Sequence, residues 1–155
     1  MKNIVFVMAL VVLSSAGYGQ KVNFSGDWKF NSDLSEQGGQ FSLAPNSIVV
    51  KHTKKTLEME RNRTWDGQDF TTNDFFTLDG KECENPGMMD SIKKSTATYD
   101  KKIQKLTITS YVELEDGTEV EILEEIKMEG EKLVIDSSVS SSYGDIFEKF
   151  VFDKK

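Results

Sequence analysis

The chain has 155 residues, 37% of them hydrophobic and 29% charged, with only two prolines; that composition excludes a low-complexity disordered chain and makes one domain the expectation. A net charge of −7 opposes a nucleic-acid surface. One cysteine, Cys83, and one histidine, His52, exclude an intramolecular disulfide and a multi-histidine metal centre.

The first element is an address. Lys2, an unbroken apolar run over residues 4–13 and the small residues Ser14, Ser15, Ala16, Gly17 and Gly19 follow the three-part order of a secretory signal peptide. Residues 1–19 are read as that signal, with cleavage before Gln20, and residues 20–155 as a single domain. The apolar run would cover only about 15 Å as a helix, roughly half a hydrocarbon core, so no permanent span is expected. The implied localisation is export, to a periplasm or to the outside.

Beyond the signal the chain alternates. Asp66-Gly67, Asp79-Gly80, Asp116-Gly117 and Glu129-Gly130 divide the chain and are read as turn signals, because Asp-Gly enters positive-φ geometry readily. Between them apolar residues fall on one alternating face, at even spacings: Ile48 and Val50, Leu57 and Met59, Phe70 and Phe76, Leu106 and Ile108, Ile122 and Ile126, Leu133 and Ile135, Phe150 and Phe152. Such alternation marks antiparallel strands with one buried face. Residues 32–46 are too rich in glycine and serine for a long helix, and Asn85-Pro86-Gly87 reads as a loop. The predicted fold is all-β: eight to nine strands closing into an antiparallel up-and-down β-barrel, since closure removes exposed edges. A two-layer sandwich is the alternative. Eight strands enclose either packed side chains or one small ligand.

The first strand of that scheme, Phe24-Ser25-Gly26-Asp27-Trp28-Lys29-Phe30-Asn31, resembles the opening strand of the calycin superfamily, the lipocalins and fatty-acid-binding proteins. The wider sequence is similar to exported bacterial lipocalin-like domains, with Leu78-Asp79-Gly80-Lys81 and Ser95-Thr96-Ala97-Thr98-Tyr99 matching their mid-chain turn and strand. The resemblance implies a barrel whose Gly26-x-Trp28 signature closes one end. Two features of the family do not carry over. The late arginine that stacks on the lipocalin tryptophan is missing, since both arginines are at 61 and 63. The helical lid and Arg-x-Tyr clamp of fatty-acid-binding proteins have no counterpart.

Polar residues on the alternating apolar face are the candidate site. His52, Arg61, Asp74, Glu124 and Glu148 fall there, with Ser110 and Ser137, and Tyr99 joins them as a candidate interior contact. Burying an unpaired charge is costly, so each must be paired, lie near the mouth or face a wet cavity. Arg61 is read as the inward arginine, able to neutralise Glu124 or Glu148. An internal salt bridge without a ligand is the competing account. Cys83 is read as a half-buried free thiol, Met88-Met89 as a lip or cover at a barrel end, Trp65 as a turn-flanking aromatic, and Lys93-Lys94 as an edge guard.

No serine-hydrolase elbow, phosphate loop, zinc motif or calcium loop occurs in the sequence. The expected function is binding of a small apolar or amphipathic molecule in the barrel, without cofactor, metal, nucleic acid or integral span. The alternative is a filled-core interaction or stress-related module. Catalysis ranks below both, with Asp74, Glu124 and Glu148 as the acids it would use.

Overall fold

A computed structural model describes residues 22–38, 42–87 and 91–155. The signal-peptide reading and the Met88-Met89 lip therefore lie outside the described residues. Ten strands follow one another: β1 (Gly26–Phe30), β2 (Ser47–His52), β3 (Thr56–Trp65), β4 (Gln68–Thr77), β5 (Cys83–Pro86), β6 (Ile92–Asp100), β7 (Lys105–Glu113), β8 (Glu119–Glu129), β9 (Lys132–Ser141) and β10 (Gly144–Lys154). All pair antiparallel in one sheet, ordered β4-β3-β2-β1-β10-β9-β8-β7-β6-β5. The sequence reading of eight to nine strands is corrected to ten. Cys83–Pro86 forms a short strand despite its Pro-Gly ending, because proline is tolerated at an edge.

Closure is nearly complete. The first and last strands meet where β1 pairs β10, Trp28 opposite Lys154 and Phe30 opposite Phe152. The sheet begins at β4 and ends at β5, and no backbone ladder joins them. Side chains bridge that seam instead: Asn85 Oδ1 accepts the Phe75 N–H at 2.7 Å, and Cys83 Sγ lies 3.4 Å from the Thr77 nitrogen. The expectation that closure removes every edge is corrected accordingly.

Alternation sets the interior. Trp28, Ile48, Leu57, Phe76, Leu106, Ile126, Leu133, Ile135 and Phe152 bury their side chains completely at one end of the barrel, joined by Phe24 from the segment before β1. Trp28 is 1% exposed, and its indole Nε1 donates to the Phe24 carbonyl at 3.0 Å, so its one polar atom is satisfied. The place of the missing late arginine is taken by Lys154, whose Nζ lies 5.8 Å from the Trp28 ring centre. Gly26 is needed beside it: its φ is +151°, and an added Cβ would meet Lys154 Cε at 3.2 Å.

The connection from β1 to β2 carries no helix among its described residues. Glu36 bridges Lys149 through two backbone hydrogen bonds of 2.8 Å, extending the sheet beside the upper half of β10. Gly38 passes so close that a Cβ would stand 2.5 Å from the Phe147 carbonyl oxygen. Further along this connection, Leu43 and Ala44 pack against the core.

Candidate functional site

The period of two places the interior acids in rows. On β8, β9 and β10, Glu124 lies opposite Ser137, and Ser137 opposite Glu148. Across the barrel Asp74 on β4 lies opposite Met59, one inward step from Arg61. Arg61 extends from β3 into this space. Its Nη1 and Nη2 donate to Glu124 Oε1 and Oε2 at 2.6 and 2.7 Å, a parallel fork that matches both planar groups. Arg61 Nε also lies 3.5 Å from Asp74 Oδ2, and Lys93 Nζ lies 2.7 Å from Asp74 Oδ1. These last two are charge contacts rather than aligned hydrogen bonds, since Arg61 Nε and both Asp74 oxygens lack a hydrogen-bond partner.

Two cations and two anions thus form one buried network. Burial disfavours the Arg61 charge, but Glu124 and Asp74 outweigh it and hold the guanidinium above its ordinary range. Burial likewise opposes the Glu124 charge, and Arg61, with help from Lys93 and Arg63, draws its carboxyl below the ordinary range. Lys93 is therefore not an edge guard. It takes the inward position on β6 while Lys94 faces solvent. Beside the network, Ser95 Oγ and Ser110 Oγ share a buried hydrogen bond of 2.8 Å.

Arg61 is not the sole inward arginine. Arg63, one step further along β3 on the same face, donates through Nη2 to the Leu43 carbonyl. Burial first, and then the neighbouring Arg61 charge, push its guanidinium below the ordinary range, against the pull of Glu148 and Glu124. Glu148 does not reach Arg61. Its Oε2 accepts the Leu43 N–H at 3.1 Å, while its Oε1 is buried without a partner.

The other expected contacts lie elsewhere. His52 and Tyr99 meet at the closed end, where the His52 ring lies 5.2 Å from Phe24 and 5.5 Å from Tyr99. Its Nδ1 faces the Phe24 N–H at 3.5 Å, and its backbone N–H donates to Ser25 Oγ at 2.8 Å. The structure therefore brings together Arg61, Asp74 and Glu124, adds Lys93, and leaves His52, Tyr99, Gly26 and Trp28 in the dry end. Cys83 is half-buried in the seam.

Above the network the wall changes character. Ile122, Val139 and Ile146 occupy inward positions in register with one another but are only half-buried. Opposite them, the β3–β4 hairpin carries Trp65 and Phe70 on the inward-facing positions of its tip, and these are 54% and 49% exposed. The open end thus offers an apolar rim over a charged floor. Surface clefts of about 530, 320 and 200 Å³ lie elsewhere. The first is beside Tyr111, Asp116 and Glu121, the second beside Leu123, Asp136 and Phe147, and the third beside Lys51, Glu60 and Asn73, all on the outer face. Among the described residues no group of three histidine, cysteine or carboxylate side chains is placed to hold a metal ion, and no helix is long and apolar enough to cross a membrane.

The sequence matches no protein-family model and no curated protein. The structure is similar to two solved barrels. Apo lipid binding protein 8 of Caenorhabditis elegans superposes with a TM-score of 0.55 at 16% identity, over 85% of this chain and 95% of that one. The zebrafish ileal bile acid-binding protein in complex with cholic acid superposes with a TM-score of 0.58 at 14% identity, over 85% and 98%. At such low identity the likeness establishes architecture. The chain folds, like these two, as a nearly closed antiparallel β-barrel.

Proposed function

We propose that the barrel binds a small amphipathic molecule at its open end, with the polar part of the ligand over Arg61, Glu124, Asp74 and Lys93 and its apolar part against Ile122, Val139 and Ile146. The observation that carries this reading is the division of the inward face: one end is dry, aromatic and fully buried, while the other is charged and half-wet. A buried ion pair is poor evidence of stability, because apolar residues of similar volume pack at least as well. Its placement below an apolar rim suits recognition instead. The names of the two similar structures, a lipid-binding and a bile-acid-binding protein, support the same class of ligand. We read the role as binding rather than catalysis. We also propose export, on the strength of residues 2–19 in the sequence.

A filled-core interaction module is the second reading, favoured by the insertion of Leu43 and Ala44 against the core. Titration with anilinonaphthalene sulfonate separates the two. Binding predicts a saturable fluorescence rise that the Ile146→Lys substitution abolishes while leaving the circular dichroism unchanged. A flat titration, together with native mass spectra free of any retained small molecule, refutes the binding reading.

A further inference from the structure

Beside the Arg61 network, whose charges they feel, Arg63 and Glu148 both hydrogen-bond one residue. The N–H of Leu43 donates to Glu148 Oε2 at 3.1 Å, and its carbonyl accepts from Arg63 Nη2. The Leu43 side chain packs on the core. This is an incomplete match. Glu148 is only 5% exposed, yet Oε1 has no donor. Among the described residues, neither side chain has an opposite charge within ion-pair distance. The Glu148 carboxyl and the Arg63 guanidinium are each hydrogen-bonded to one neutral backbone group.

The spacing of these contacts is chemically specific. They fall on the nitrogen and the carbonyl carbon's oxygen that flank a single Cα. A free α-amino acid carries an ammonium and a carboxylate at those same two positions. Its ammonium has three donors, enough to serve both Glu148 oxygens, and its carboxylate accepts from the Arg63 fork as an ionic pair. The pocket for its side chain is the one that Leu43 fills, so it must be apolar and branched or of similar bulk.

We propose that Arg63 and Glu148 constitute a head-group site for an apolar α-amino acid, or a molecule bearing that zwitterionic head, and that Leu43 is its resident occupant from the chain itself. The site rests on the proposed function in one respect: the mouth must admit a small molecule. Residues 42–45 have to withdraw for the ligand to enter. A tethered occupant competes at high effective concentration and lowers the apparent affinity of the free one.

The test is isothermal titration of the full chain with L-leucine, isocaproate and isoamylamine, the last two lacking the ammonium and the carboxylate respectively. Leucine is expected to bind at least about tenfold more tightly than either, the worth of one lost charge-assisted contact. Leu43→Gly removes the competing side chain and is expected to tighten leucine about tenfold, with Leu43→Ala as the alternative variant if glycine impairs folding. Adding Glu148→Gln to that variant weakens leucine about tenfold and leaves isocaproate unchanged. The head-group site is refuted if a folded Leu43 variant fails to bind leucine, or if isocaproate binds as well as leucine. Anilinonaphthalene sulfonate distinguishes the two proposals: its binding without leucine binding refutes the head-group site alone, whereas silence from both refutes the ligand-binding reading as well. Leucine binding without dye binding supports the head-group site on its own.

Discussion

Removing one member of the Arg61–Glu124 pair tests the energetics of the site directly. Both guanidinium nitrogens of the fork are committed to Glu124, at 2.6 and 2.7 Å, inside a barrel where the two side chains are 15% and 8% exposed. Arg61→Leu strands the buried Glu124 carboxylate and also withdraws the Nε contact from Asp74, which retains Lys93. Breaking a buried pair in this way costs about 3–5 kcal/mol. With an unfolding entropy of about 2.1 cal/mol/K per residue, a barrel of this size loses roughly 3–4 °C per kcal/mol, so Tm falls by roughly 10–18 °C. Glu124→Leu leaves Arg61 the 3.5 Å contact with Asp74 and a weak one with the Met59 sulfur, and has a penalty of the same order. The double variant leaves no stranded partner and packs two apolar side chains, so its penalty is about 0–2 kcal/mol. Urea unfolding of the four proteins gives a coupling of about 3 kcal/mol or more. Additive single effects, with coupling below about 0.5 kcal/mol, would show that the pair is not energetically joined in solution and would refute the reasoning.

Two further outcomes follow from the same geometry. Glu124 has a carboxyl drawn below its ordinary value of 4.5, so its contribution to stability is complete above that pH and is lost as the pH falls through the lower folded value. Chemical denaturation should therefore show the stability gap between the wild type and Glu124→Gln narrowing below pH 4.5; a constant gap contradicts the assignment. Gly38→Ala drives a methyl group to within 2.5 Å of a backbone oxygen of β10 and must push the β1–β2 connection outward. Hydrogen exchange should then speed up at the Glu36 and Lys149 amides, with β7–β9 unchanged, and an unaltered pattern would mean that the close approach is not maintained in solution.

Much of the architecture was legible because one barrel face is buried and the other wet. Period-two alternation reads off strand identity and facing at once, and it put Arg61, Asp74, Glu124 and Glu148 inside. Arg63 carried the same signal: it stands two residues from Arg61, and that step alone marks it as inward. Lys93 was obscured by Lys94, because in a strand any such pair has one member on each face, and the doublet says nothing about which. Strand β5 was hidden by its Pro-Gly ending, which signals a loop as strongly as an edge. The positions of His52 and Tyr99 at the dry end required strand direction and stagger, which periodicity does not contain. The contacts of Leu43 were beyond reach for a different reason. They are made by the backbone of an irregular segment, whose partners follow from where the chain doubles back and leave no residue pattern behind.

The pairing of β1 with β10 has a consequence for the order of assembly. The strands from β6 to β10 are neighbours along the chain and can zip together hairpin by hairpin, whereas Trp28 must find Lys154 across nearly the whole polypeptide. Joining such remote partners carries the largest loop-closure entropy in the molecule, and local contacts form ahead of remote ones. The ring is therefore welded last, at the rung where the first and final strands meet. In pulse-labelling during refolding, amides of β7–β9 should gain protection before those of β1. The tryptophan that plugs the barrel is then a late arrival, sealing a basket that the second half of the chain has already woven.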